Sequence, residues 1–368
     1  MTNRERFWRT MKFQEIDRLP FWADWIGPFD RWREEGMPKD VDPFKFFGFE
    51  GIISAFWGNP RVPVNLGMYP GFKTVIIEET EDYRLYIAGD GVLTRVRRDV
   101  KGYPTYQWLE YPIKNREDWE KFKEQLNPDS PGRYPEESQW EAMKKEWANR
   151  DYPISIDGGS FYGYARNWIG VNNISLMFYD DPDIMAEIMD YLADLFIKVL
   201  HRAVHEVDID FALFWEDMCY KAGPLISPAM FREFLLPNYK KVTKFLVEHG
   251  VELSWVDCDG NIEALLPLWI EGGVIGHYPL EVASGMDAGK LRDEYGQSIV
   301  MWGNVDKRAL AKGKEAIDAE IERLAPVVEK GGFIPLVDHG VPEDISYENY
   351  CYYLERRKQI TGYSNRNR

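Results

Sequence analysis

Ile209-Asp210-Phe211-Ala212-Leu213-Phe214-Trp215, running straight into Glu216-Asp217, is the stretch that decides the fold. An apolar, aromatic run ends abruptly on two acids. Val251-Glu252-Leu253-Ser254-Trp255-Val256 repeats the plan and ends on Asp257-Cys258-Asp259. Between them lies Pro228–His249, where Phe231, Phe234, Leu235 and Tyr239 recur at helical spacing. Run, helix, run is the grammar of a βα unit with parallel strands.

The same alternation continues outward. Downstream, Gly273–Tyr278, Ile299–Trp302 and Phe333–Val337 read as strands; upstream, Pro153–Asp157, Ile52–Phe56 and Leu19–Trp25 do. Asp180-Asp181-Pro182 predicts a helix start, with an acid before a proline at the first helical position, and that helix should run to about His205. Eight strands alternating with helices predict an α/β fold, a (β/α)8 TIM barrel. Residues from about 60 to 150 break the rhythm. There Val75–Glu79, Arg84–Ile87 and Val92–Arg97 read as antiparallel ribbon, with Asp90-Gly91 as a hairpin turn. This region is expected to be an insertion or lid on the barrel. No composition shift marks a linker, so residues 1–368 read as a single domain.

Composition narrows the function classes. The formal charge of −16 over 368 residues repels nucleic acid and anionic membranes. Three cysteines without paired spacing point to a reducing compartment, hence a cytoplasmic protein. No apolar run approaches the roughly 20 residues of a membrane span. The start, Met1 to Met11, lacks the apolar core of a signal peptide. Aromatics make up 15% of the chain, with 14 Trp and 21 Tyr, more than a core needs and suited to lining a pocket. Glycine-rich dinucleotide loops, Walker A, His-Glu-x-x-His and Gly-x-Ser-x-Gly patterns are missing from the sequence, which moves nucleotide-dependent dehydrogenases, P-loop enzymes and common hydrolases out of the front rank.

In such barrels chemistry sits at the C-terminal ends of the strands. Applied here, that rule selects Glu216, Asp217, Tyr220 and Lys221 after one strand, and Asp257, Cys258 and Asp259 after the next. It adds His277 and Glu281, Asn304, His339 after Asp338, Asp157, and Trp22 with Asp24 near the first strand. Carboxylates converging on one mouth raise one another's pKa unless a cation sits among them. A metal or a cationic substrate meets that demand. His201 and His205 have the spacing of a helical zinc pair but precede a strand, on the opposite, stability face of a barrel. His249, before Gly250, reads as a helix C-terminal residue.

Taken together the chain resembles the uroporphyrinogen decarboxylase superfamily. The resemblance rests on Asn3-Arg4-Glu5-Arg6-Phe7 with Asp17-Arg18-Leu19-Pro20-Phe21-Trp22, and on Phe214-Trp215-Glu216-Asp217 with Gly223-Pro224-Leu225-Ile226-Ser227-Pro228. It also rests on Gly303-Asn304-Val305-Asp306 and Asp338-His339-Gly340-Val341-Pro342. True decarboxylases of that superfamily carry an Arg-rich segment after the first strand to hold substrate carboxylates. This chain has Ala23-Asp24-Trp25-Ile26-Gly27 there. The other branch, corrinoid-dependent methyltransferases, binds zinc through a His-x-Cys motif, and Glu78-Glu79-Thr80-Glu81-Asp82-Tyr83 with the Asp90-Gly91 hairpin resembles it. The His and Cys of that motif are Asp257 and Asp259 here.

The resemblance therefore implies a methyltransferase moving a methyl group from a small methylated compound, aromatic methyl ethers included, to a corrinoid carried by a partner protein. It implies zinc held by a set drawn from Glu216, Asp257, Asp259 and His339, with Cys258 a weaker candidate. Glu216, Asp217, Asp257, Asp259 and His339 are the expected catalytic groups. Trp22, Asp24, Asp157, Tyr162, Trp215, Tyr220, Lys221, His277, Glu281 and Asn304 are expected to contact substrate, with Trp25, Phe161 and Trp168 adding apolar wall. A homodimer is compatible with this reading. The alternatives are a metal-free decarboxylase of a tetrapyrrole or other carboxylate, and a non-catalytic barrel that holds a ligand or a corrinoid partner.

Overall fold

A computed structural model describes residues 1–25, 27–52, 60–98 and 105–363. Its strands, in chain order, are β1 (Trp22–Ala23), β2 (Gly51–Ile52), β3 (Arg61–Val62), β4 (Val75–Glu79), β5 (Tyr83–Ile87), β6 (Leu93–Arg97), β7 (Tyr106–Glu110) and β8 (Ser155–Gly159). There follow β9 (Phe211–Trp215), β10 (Cys219–Tyr220), β11 (Gly223–Pro224), β12 (Leu253–Asp257), β13 (Gly276–Tyr278), β14 (Val300–Val305) and β15 (Phe333–Val337). Of the predicted strand Ile52–Phe56, residues 53–56 lie outside the described residues.

Seven strands form one parallel sheet in the order β15, β14, β13, β12, β9, β8, β3, and β1 pairs in parallel with β2. Asp24, one residue beyond β1, closes the circle: its carboxylate accepts the Val337 N–H at 2.7 Å from the end of β15. The Val341 N–H then reaches the Trp25 carbonyl at 3.3 Å. The result is the expected (β/α)8 barrel.

Alternation along the strands sorts side chains into two layers. Phe211, Leu213, Leu253, Trp255, Tyr278, Val300, Trp302, Ile334 and Leu336 point inward and form the barrel interior. Trp255 and Trp302 stack there with ring centroids 3.5 Å apart. A Cβ on Gly276 would sit 2.1 Å from the Trp255 ring, so that position admits no side chain. The intervening Ala212, Phe214, Val256 and Met301 face outward into the larger core shared with the helices. Helix Asn3–Met11 plugs the bottom of the barrel with Phe7 and Met11. It is held there by Asp210, which accepts from Arg4 Nε at 2.7 Å and Trp8 Nε1 at 2.6 Å.

Helix Pro182–Glu206 begins as predicted, with the Asp181 carboxylate accepting the Ile184 N–H at 3.2 Å. The predicted helix at Pro228–His249 is broken into Pro228–Met230, a π-type turn at Phe231–Leu235 and Leu236–Glu248. Pro237 explains the break, since it lacks an N–H and its ring crowds the carbonyl four residues back. Strands β4 to β7 form a separate antiparallel sheet in sequence order. Its hairpin turns at Asp90-Gly91, with Gly91 at φ 83°, as the sequence suggested, and β7 adds a fourth strand that periodicity alone did not show.

Candidate active site

β9 and β12 lie in register, with Trp215 opposite Asp257. Both continue the inward parity of Leu213 and Trp255, so both aim at the axis of the mouth. The chain turns immediately after each strand. Asp217 sits at φ 40°, a conformation that costs a non-glycine residue of order 1–3 kcal/mol and clusters at functional sites. The turns bring Asp217, Asp257 and Asp259 together, with one carboxylate oxygen from each within 4.8 Å of the others. His339, beyond β15, reaches across to the same group: its Nε2 lies 3.4 Å from Asp259 Oδ2. Trp25 meets the His339 ring edge-on, centroids 4.6 Å apart.

The electrostatics follow from crowding and burial. The Asp217 carboxyl rises to about 6, through loss of water first and then the charge of Asp259, against the opposing effects of Arg166, the Asp259 N–H and His339. Asp257 is driven well above the ordinary carboxylate range, by burial first and then by Asp217 and Asp259. For His339, burial disfavours the charged ring, but the hydrogen bond and charge of Asp259 outweigh it and raise the pKa. Carboxylates with an imidazole at the edge form a donor set that fits a divalent cation, zinc included.

Glu216, adjacent to Asp217, has a different fate. Its parity is outward, with Phe214, and it is fully buried. Its oxygens accept from the Phe161 N–H at 2.9 Å, the Gly163 N–H at 2.9 Å, Ser160 Oγ at 3.2 Å and the Tyr239 hydroxyl. Burial raises its pKa and these four donors pull it back, leaving it raised. Glu216 thus anchors the start of helix Tyr162–Ile169 and contributes no oxygen to the carboxylate group. This corrects its expected role as a metal ligand. Cys258 also points outward, buried against Cys219 with its thiol pKa raised well above normal by burial, so it too is turned from the mouth.

Several other expected contacts are corrected in the same way. Asp24 is buried and committed to Val337, the Tyr350 hydroxyl at 2.9 Å, the Tyr353 hydroxyl at 3.2 Å and Arg357 at 3.2 Å. Trp22 belongs to the barrel interior, stacked on Phe7. His277 is fully buried on the outward side of β13, where burial lowers its pKa to about 3. Asn304, at φ 59°, clamps the Leu280 and Met286 carbonyls at 2.8 and 3.0 Å. Phe161, Tyr162 and Trp168 pack in the outer core.

Asp157 pairs with Arg61 at 2.6 Å, and Glu281 accepts the Gly260 N–H at 2.9 Å and faces Lys307 at 3.3 Å. Tyr220 and Lys221 are exposed on the β10–β11 hairpin at the rim.

A cavity of about 500 Å³ opens beside the carboxylates, lined by Trp215, Asp217, Arg166 and Asn167 from the barrel side and by Asp90, Val92, Trp108 and Tyr111 from the antiparallel sheet and the chain leaving it. The sheet is therefore a wall of the pocket. The Arg166 guanidinium lies 5.2 Å from the Trp215 ring and donates to the Asp217 carbonyl at 2.6 Å. Trp108, Tyr111, Arg166 and Lys307 were missed by reading strand ends. They come from the insertion and from helix positions, and only helical parity from Tyr162 would have hinted at Arg166.

Among known proteins, the family model for uroporphyrinogen decarboxylase (URO-D) matches residues 109–360. The uroporphyrinogen decarboxylase of Geobacter sulfurreducens is 25% identical over 260 residues, covering 67% of this chain and 71% of that protein. That of Pseudomonas aeruginosa strain LESB58 is 25% identical over 215 residues, 56% of this chain and 55% of that protein, so the chain spans about half of that relative's length. Among solved structures, a methyltransferase from Methanosarcina mazei shares the fold, with a TM-score of 0.62 over 99% of this chain and 100% of that one at 17% identity.

Proposed function

The chain belongs to the uroporphyrinogen decarboxylase family, and from that premise we propose that it is a methyltransferase, taking a methyl group from a small methylated compound, aromatic methyl ethers foremost, and delivering it to a corrinoid held by a partner protein. The observation that carries the reading is the convergence of Asp217, Asp257 and Asp259 on one point, with His339 at its edge. Such a group repels a polycarboxylate substrate and invites a cation. The fold shared with a protein named as a methyltransferase supports the same branch.

The residues divide the work. Asp217, Asp257 and Asp259, with His339, would hold a divalent metal, zinc by resemblance, which when bound supplies Lewis acidity toward a methoxy oxygen. Asp217, whose carboxyl rises to about 6 in the metal-free protein, would give up its proton on binding the metal and serve as a carboxylate ligand. Trp215, Trp108 and Tyr111 flank the cavity and suit a flat, apolar donor. The antiparallel sheet forms one side of that space. Incubation with methoxylated aromatic donors and reduced corrinoid protein tests the proposal. Methyl transfer is expected, and failure with every donor by the folded, metal-loaded protein would count against it.

A second reading has one observation in its favour. Arg166 borders the cavity, and the curated relatives are named as decarboxylases. Metal-free decarboxylation of a carboxylate would then use Arg166 for binding and Asp217 as the acid. It predicts carbon dioxide release from a porphyrinogen or simpler carboxylate in the presence of a chelator.

A further inference from the structure

Three imidazoles also gather at the other end of the barrel, although their nitrogens do not lie as close together as the carboxylate oxygens of the mouth. His201 and His205 occupy one face of helix Pro182–Glu206, four residues apart, and His249 is the residue that ends helix Leu236–Glu248. The two helices run side by side in the same direction. Asn238 donates to Asp190 at 2.9 Å and Lys241 to Asp194 at 2.7 Å, so contacts advance together along both. One step further, the His201 and His205 ring centroids are 4.2 Å apart and those of His205 and His249 are 4.6 Å apart. The outer pair, His201 and His249, are separated by 6.3 Å, which leaves His205 in the middle. Phe245 backs the group, its ring 4.5 Å from that of His249.

The hydrogen bonds fix the tautomers. His205 Nδ1 lies 2.6 Å from the His201 carbonyl oxygen, and His249 Nδ1 lies 2.7 Å from that of Phe245. A carbonyl only accepts, so each Nδ1 must carry the proton. In a neutral imidazole the lone pair is then on Nε2, the form that binds a metal. His201 and His205 are exposed and His249 partly so, which leaves room for an ion to enter from solvent. Two helix C-termini meet here, and their negative dipole ends favour a cation. Both helices lead into strands β9 and β12, so the group sits on the face opposite the carboxylate mouth.

We propose that His201, His205 and His249 form a second metal site, for a borderline divalent transition ion such as zinc or copper, that clips the ends of these two helices together. His205 is the shared ligand. Rotation of the exposed His201 ring brings it to the same ion, and water fills the remaining position. The preference for nitrogen-loving ions follows from an all-imidazole set, with copper bound more tightly than zinc. An ion that binds only the folded chain stabilises it. The site is structural and independent of turnover.

The test uses the full-length, tag-free protein carrying Asp257→Asn, which removes the mouth from the count, with and without His205→Ala. Zinc titrated calorimetrically is expected to bind one equivalent to the Asp257→Asn protein and to raise its thermal midpoint, with both effects lost on adding His205→Ala. Copper bound to the same protein should show nitrogen superhyperfine splitting from more than one imidazole in its electron paramagnetic resonance spectrum. Because both histidines concerned are exposed, His201→Gln offers a milder variant that should weaken binding at least tenfold without disturbing the fold. Absence of bound metal in the Asp257→Asn protein, or unchanged binding after His205→Ala, would overturn the proposal. Either result leaves the reading of the mouth untouched.

Discussion

The two halves of the barrel mouth are built from the same residue types and solve the problem of charge in opposite ways. On the β13–β15 side, every acid named has donors. Asp338 accepts the Val282 N–H at 2.9 Å and the Lys307 N–H at 3.2 Å and faces the Lys307 ammonium at 3.5 Å. Glu281 shares that ammonium and holds the Gly260 N–H. On the β9–β12 side, Asp217, Asp257 and Asp259 face one another, with His339 at one edge and Arg166 at the other. The difference teaches that the number of acids at a mouth says little; what marks a site is carboxylate charge left short of donors. Glu216 makes the point within a single dipeptide, since it is saturated and Asp217 beside it is not.

This contrast can be broken most visibly in turnover. Asp257→Asn is expected to lower methyl transfer by roughly 100-fold or more, as removal of a metal ligand does, while Glu281→Gln changes it by less than about tenfold. Steady-state assays with reduced corrinoid protein decide it, and equal losses in the two variants would erase the distinction between the halves. Next in size is Glu216→Ala. It strands four buried donors and should cost about 3–4 kcal/mol of stability in urea unfolding. A cost near zero would mean that Glu216 is not the anchor of helix Tyr162–Ile169.

A smaller effect sharpens the electrostatics. The Asp217 carboxyl rises from 3.8 in the unfolded chain to about 6 in the folded protein. The folded state therefore binds the proton more tightly, and stability falls as pH rises from about 4 to about 6. The full linkage is on the order of 2–3 kcal/mol in metal-free protein. Asp217→Asn should flatten that slope, and added metal should flatten it too. Denaturant midpoints measured across pH in chelator would show otherwise if the two proteins had parallel slopes. The smallest change is at the wall. Trp108 is 60% exposed, so Trp108→Ala should shift stability by no more than about 0.5 kcal/mol while raising KM several-fold.

How much of this could be read beforehand depends on the residue. The barrel was legible because buried parallel strands leave apolar runs that end on polar loops, as at Phe211–Trp215 and Leu253–Asp257. The approach of Asp257 and Asp259 to His339 was legible in outline, because strand ends share one face. The direction of Glu216 was available and overlooked: the two-residue alternation that sends Asp257 inward sends Glu216 and Cys258 outward. Asp24 and Asn304 were not legible, since their partners come from Val337, Tyr350, Arg357 and Arg323, far away in the chain. The pocket wall was hidden for a different reason. Tyr106–Glu110, which carries Trp108, is an exposed strand whose pattern says nothing about what it faces.

The central claim, that the donor-poor half of the mouth holds a metal, is tested most directly by metal content. In a tag-free His205→Ala background, purified protein loaded with zinc and desalted is predicted to retain one equivalent. Adding Asp257→Asn should reduce it below a tenth of an equivalent, and adding Glu281→Gln should leave it intact. Protein that retains no zinc, or retains the same amount after Asp257→Asn, would contradict the account.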